Sequence, residues 1–183
     1  VRTTIQFLVC AFVASFAITT SAHEDSTTLG SGFGIGYQIQ QYQQDFGISL
    51  TTTSPLVGSD IQLGLRLRGG MMFFELAQDS STKRPRYFNA QLGVVGYSKA
   101  LAEGIRLYGE GGAIMLFPSE TFSSASSEIG AYALFGFEFY MSENLCYLLE
   151  VGGVGIGATA DKIPLKPIYS NGLSLAAGVR YVF

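Results

Sequence analysis

Residues 172–183 alternate almost without fault. Leu173, Leu175, Ala177, Val179, Tyr181 and Phe183 share one face, and Gly172, Ser174, Ala176, Gly178 and Arg180 share the other. A side-chain period of two over that length is a β-strand. One face is wholly apolar, whereas the other carries small residues and a single arginine. This asymmetry suits a sheet whose two sides meet different media.

The other end of the chain reads as an export signal. Arg2 supplies a short positive region, residues 5–17 are an apolar run broken only by Gln6 and Ser15, and Thr20, Ser21 and Ala22 precede His23, Glu24 and Asp25. The pattern predicts a secretory signal over 1–22, cut after Ala22, a short lead over 23–31 and one domain over 32–183. The apolar run is too short for a membrane helix, which needs roughly 20 residues. Cys10 lies inside that run rather than just after the cleavage site, so no lipid anchor is expected there. Cys146 is then the only thiol of the exported chain, which excludes a disulfide framework.

Charged residues make up 14% of the chain and the formal charge is −3, against roughly 25% charged residues in soluble domains. The balance points to no nucleic-acid partner. A soluble domain dresses its exterior in lysine and glutamate, and this chain does not. Beyond the signal it has no apolar run of about 20 residues, which excludes helical spanning. A closed sheet that turns alternate residues toward lipid accounts for both facts.

Alternation and turn residues predict eight strands, over 32–40, 46–53, 61–75, 86–97, 105–116, 129–140, 145–156 and 172–183. The links after the second, fourth and sixth strands are short, at 54–60, 98–103 and 142–144. Three of the four opposite links are longer: 77–85, 118–127 and 157–171. With both termini on the periplasmic side, this asymmetry matches short periplasmic turns and longer outward loops. The facing of the fourth and fifth strands is left open, because Gly109 and Gly111 fall on the face otherwise expected to meet lipid.

The four lysines, Lys83, Lys99, Lys162 and Lys166, fall in predicted links, whereas Arg66, Arg68, Arg106 and Arg180 fall within strands, on the face opposite the leucines. Glu110, Glu138 and Glu150 occupy the same face of their own strands. A narrow eight-stranded barrel is filled by side chains, where an unpaired charge costs several kcal/mol. These seven residues are therefore expected to form an internal ion-pair network, with arginine favoured because its fork bridges carboxylates. A solvated face of a soluble sheet would carry more charge than these faces of Gly, Ser, Ala and Gln. Aromatic residues suit the two membrane interfaces. Phe183, Tyr181, Tyr97, Phe139 and Tyr147 are expected at the periplasmic rim, and Phe73, Phe74, Phe117, Phe122, Tyr87 and Tyr169 at the outer rim.

No catalytic constellation is apparent. His23 is the only histidine and lies outside the predicted barrel, which removes the usual base for a serine or cysteine nucleophile. One thiol and one imidazole do not make a transition-metal site, and no cofactor is expected. Paired glutamates such as Glu110 and Glu138 superficially suit a glycosidase, but any closed barrel brings interior carboxylates together. Gly32, Gly34 and Gly36 alternate with Phe33, Ile35, Tyr37 and Ile39, so close packing inside a barrel explains them better than a nucleotide loop. Lys83, Arg84 and Arg86 surround Pro85 in an outward link. They form a candidate loop for lipopolysaccharide phosphates or another anion, although a merely solvated loop accounts for them better.

The ending Gly178-Val179-Arg180-Tyr181-Val182-Phe183 resembles the C-terminal signal of bacterial outer-membrane barrels, with Tyr181 and Phe183 its aromatic positions. Taken with the eight strands and the export signal, the chain resembles the small eight-stranded outer-membrane β-barrel superfamily, which includes the OmpA transmembrane domain, OmpX-like proteins and opacity-type surface proteins. The resemblance implies an all-β, antiparallel, up-and-down transmembrane barrel in the bacterial outer membrane. It also implies contact with lipid and lipopolysaccharide, insertion by the barrel-assembly machinery through the last strand, and a structural or surface-interaction role without enzymatic activity. The surface ligand is not specified. No peptidoglycan-binding domain follows the barrel, so cell-wall anchoring is not expected. Two alternatives stay open: a narrow channel or transporter for small solutes, and a soluble lipocalin-like barrel with its faces inverted around an apolar ligand. The lipocalin Gly-X-Trp signature is absent, as the chain has no tryptophan.

Overall fold

A computed structural model describes residues 29–74, 84–102 and 104–183. The expected signal over 1–22, His23 and Lys83 lie outside these residues. Eight strands follow in order: β1 (Gly34–Tyr42), β2 (Asp45–Thr53), β3 (Gln62–Phe73), β4 (Arg86–Ala102), β5 (Ile105–Phe117), β6 (Glu128–Tyr140), β7 (Leu145–Gly155) and β8 (Gly172–Val182). Each pairs antiparallel with its sequence neighbours, and β1 pairs with β8, so the sheet closes on itself. Closure leaves no unpaired edge.

Parity decides what faces where. On β8, Leu173, Leu175, Val179 and Tyr181 point outward while Ser174, Ala176, Arg180 and Val182 are buried. β3 follows the same rule, with Leu63, Leu65 and Leu67 outside and Arg66 and Arg68 inside. The two strands whose facing was open obey it too. Phe88, Leu92 and Val94 of β4 face out, whereas Tyr87, Asn89, Gln91, Val95 and Tyr97 are buried. Gly109 and Gly111 of β5 are exposed, and Tyr108 and Glu110 point in.

The expected turn at 98–103 is not formed as such. β4 continues to Ala102 through two register shifts, between Tyr97 and Ala100 and between Ala100 and Ala102. Ser98 and Lys99 interrupt the apolar alternation, but backbone pairing does not require alternation, and bulges absorb the mismatch. Lys99 therefore sits on the bulged end of a strand, where it pairs with exposed Asp60 at 2.7 Å.

The buried side chains lie inside the barrel. Toward the end carrying the short turns they are mostly arginine, glutamate and tyrosine. Toward the opposite end they are glutamine, asparagine and serine, then an aromatic layer beneath the longer loops.

Candidate functional site

The charged layer begins with three strands that each aim one or two side chains at the barrel axis. Arg66 and Arg68 are two residues apart on β3 and so share its inner face, while β5 contributes Glu110 and β7 contributes Glu150. Arg66 Nη1 lies 2.9 Å from Glu110 and 3.3 Å from Glu150. Arg68 Nη2 lies 3.5 Å from Glu110 and 3.0 Å from Glu150. Two guanidiniums thus face two carboxylates, each touching both of its opposites.

Tyrosines complete this quartet. Tyr108 donates its hydroxyl to Glu150 at 2.7 Å and Tyr132 donates to Glu110 at 2.6 Å. Each carboxylate therefore receives two arginines and one phenol, but on Glu150 all three meet Oε1, and Oε2 is buried without a hydrogen-bond partner among the described residues. The sequence gives no reason to single out Tyr132, yet it stands in phase with Glu138 on β6, as Tyr108 does with Glu110 on β5.

A second group lies nearer the termini. Arg180 Nε is 3.2 Å from Glu138, which also accepts hydrogen bonds from Tyr97 and Tyr140, each at 2.8 Å. Tyr97 is the link between the groups. Its hydroxyl accepts from Arg66 and, at 2.6 Å, from Arg180. The guanidinium carbons of Arg66, Arg106 and Arg180 lie 5.9, 4.6 and 5.2 Å from its ring centre, a range in which the ring face attracts cations.

Arg106 departs from the expected network. It is buried and stands opposite Glu138 in the β5–β6 register, but Arg180 occupies that carboxylate. Among the described residues Arg106 has no carboxylate partner; it donates to the Leu29 carbonyl and the Gln62 side-chain oxygen. Among the described residues, four buried arginines thus meet three buried glutamates in this half of the lumen.

The expected rims also change. Tyr97 is fully buried rather than at the periplasmic interface. Phe74, Tyr87, Phe122 and Tyr169 are buried inside the opposite mouth, with ring centres 5.0–6.4 Å apart wherever they pair. Parity alone places Tyr87 inside, next to Asn89 and Gln91, whereas loop residues Phe122 and Tyr169 have no parity to read. Phe117, Tyr181 and Phe183 are exposed, and Phe73, Phe139 and Tyr147 are half-buried.

Two loops hold the aromatic layer in place. Asp161 accepts from the Ser124 backbone N–H at 2.7 Å and from the Ser124 hydroxyl, and these bonds hold its carboxyl below the usual aspartate range. Lys162 Nζ donates to the Glu120 carbonyl at 2.8 Å. Beneath the rings, Asp45 accepts from Tyr87 at 2.6 Å and from the Ser170 backbone N–H at 2.8 Å. Burial raises the Tyr169 phenol to about 12, so it stays protonated at physiological pH. Arg84 and Arg86 are exposed near this mouth, and Arg84 lies 5.4 Å from the Phe46 ring centre.

No group of three or more metal-ligating side chains is present among the described residues. Cys146 is buried, away from solvent.

No protein-family model and no curated protein matches the chain. Solved structures do. The N-terminal β-barrel domain of Pseudomonas aeruginosa OprF aligns at a TM-score of 0.55 and 15% identity, covering 85% of this chain and 99% of that one. The outer membrane protein OprG from Pseudomonas aeruginosa aligns at 0.56 and 12%, covering 87% and 99%. Ail, the attachment invasion locus protein of Yersinia pestis, solved in complex with the heparin analogue sucrose octasulfate, aligns at 0.51 and 14%, covering 83% and 97%. The shared feature at these identities is the barrel fold.

Proposed function

We propose that the protein is an integral bacterial outer-membrane β-barrel with a structural or surface-interaction role and no enzymatic activity. One observation carries this reading: the outward residues are apolar while the charges are inside. Leu50, Leu65, Leu67, Leu92, Ile129 and Leu173 are each more than half exposed. A water-soluble monomer rarely exposes contiguous apolar area beyond a few hundred Å², and burying each such side chain in hydrocarbon is favourable by about 1.5–3 kcal/mol. The inverted, lipocalin-like arrangement would place arginines outside, contrary to the burial of Arg66, Arg68, Arg106 and Arg180.

Closed packing of the quartet supports a filled lumen rather than a diffusion pore, which takes about 16 strands. Tyr181 and Phe183 present exposed rings on the last strand, suited to recognition by insertion machinery. Arg84 and Arg86 are available to lipopolysaccharide phosphates on the outer side.

Spin labels test the orientation. A nitroxide at Leu175 should be quenched by oxygen dissolved in lipid, and one at Ser174 should be shielded from both lipid and water. Aqueous quenching at Leu175 would overturn the reading. In a planar bilayer the refolded protein should show no steady conductance; a sustained current would favour the channel alternative.

A further inference from the structure

Residues 29–31 enter the mouth of the barrel on the side of the termini. Gly30 is buried at φ +66°, a left-handed conformation that suits glycine. Any Cβ there would run into the Tyr140 ring. The carbonyl of Gly30 accepts from Arg180 Nη2 at 3.2 Å, the carbonyl of Leu29 accepts from Arg106, and the carbonyl of Ser31 accepts from the Leu56 N–H at 2.7 Å. Three consecutive carbonyls therefore face inward or toward the nearest turn, and two of them meet guanidinium groups.

The charge balance explains why carbonyls are needed. Arg180 is neutralised by Glu138, but Arg106 is 1% exposed and meets only neutral acceptors among the described residues. Its Nε is buried without a hydrogen-bond partner there. Among the described residues this cation is compensated only by dipoles, and such a group is a strong anion receptor, because displacing a carbonyl with a full negative charge gains charge-assisted hydrogen bonds in a low-dielectric site.

On the barrel reading above, we propose that residues 29–31 form a built-in stopper over an anion-binding site centred on Arg106, with Arg180 beside it, and that the site takes a small oxyanion when the stopper is withdrawn. The carbonyls of Leu29 and Gly30 occupy the positions the oxyanion's oxygens would take. Binding of the oxyanion and seating of the stopper are then mutually exclusive.

The test uses the refolded full chain and the reactivity of Arg106 toward phenylglyoxal, read by peptide mass spectrometry, with inorganic phosphate as the probe anion. In the unsubstituted protein, Arg106 should react at least about tenfold more slowly than exposed Arg84, since only the open fraction reacts. Gly30→Val, which cannot seat, should raise the Arg106 rate severalfold, and millimolar phosphate should restore protection. Gly30→Ala should do the same more weakly. Heat-dependent gel mobility is followed in every sample. Loss of that shift in the unsubstituted protein refutes the barrel reading itself. An intact shift with Arg106 equally unreactive in both variants overturns the stopper. Reactivity that phosphate does not slow overturns the anion site.

Discussion

Glu150→Gln tests whether the quartet is a dry, balanced cluster. The substitution keeps the shape but leaves Arg66 and Arg68, 3.3 and 3.0 Å away, sharing Glu110 alone. Breaking a buried ion pair from one side costs about 3–5 kcal/mol. With a urea slope of about 2 kcal/mol/M for a chain of this size, the unfolding midpoint should fall by about 1.5–2.5 M. Adding Arg68→Gln restores a balance of one guanidinium to one carboxylate. The double variant should therefore be more stable than the sum of the single effects, by a coupling of about 1–3 kcal/mol. The chain lacks tryptophan, so unfolding in lipid vesicles is best followed by the fraction retaining compact mobility on a cold gel. A loss below about 1 kcal/mol would place the pair in water, as for an exposed ion pair. Additive single effects would show that Arg68 and Glu150 do not act together. Either result refutes the filled-lumen argument.

Glycine substitutions should separate the two faces of the wall. A Cβ at Gly136 would collide with the Tyr108 ring, whereas one at Gly155 meets nothing within 4 Å. Gly136→Val should cost about 1–3 kcal/mol from overpacking and Gly155→Val should be neutral or stabilising, as read by the same urea titration; equal effects would contradict the facing of β6 and β7. The loop contact at Asp161 should depend on pH. Its folded pKa is depressed by Ser124, so the contact is fully stabilising above the ordinary aspartate pKa and is lost as pH falls through the folded value. Amide exchange at Ser124, corrected for its intrinsic rate, should accelerate over that acid range. Asp161→Asn should remove the pH dependence, and an unchanged profile would rule out this latch.

Much of the fold is legible because a barrel wall obeys a single rule. Period two sorts Leu173 from Ser174 and Leu65 from Arg66 without reference to any partner strand, and short links mark where the chain turns. Boundaries fail where the backbone departs from that rule. Ser98 and Lys99 read as a turn because their polarity breaks the pattern, yet bulges carry the pairing through them. Phe122 and Tyr169 lie in loops, and their inward position follows from loop docking through Asp161 and Lys162, which no local pattern encodes.

The charged site is legible in membership and less so in pairing. Parity is enough to gather Arg66, Arg68, Arg180 and the three glutamates in one lumen, but it cannot say which arginine wins which carboxylate. Arg106 and Glu138 are direct cross-strand neighbours, so local geometry favours their pairing. Arg180 prevails because Tyr97 and Tyr140 hold Glu138 and Arg180 together in one hydrogen-bonded group. Tyrosine is the residue whose role composition hides best. Its amphipathic ring suggests a membrane rim, whereas Tyr97, Tyr108, Tyr132 and Tyr140 share the inward phase of their strands. There each phenol donates to a carboxylate without adding charge. Among the described residues this half of the lumen holds four cations and three anions, where neutral donors satisfy further lone pairs and ring faces take up part of the cationic excess. Read by phase rather than by residue type, those four tyrosines belong to the site.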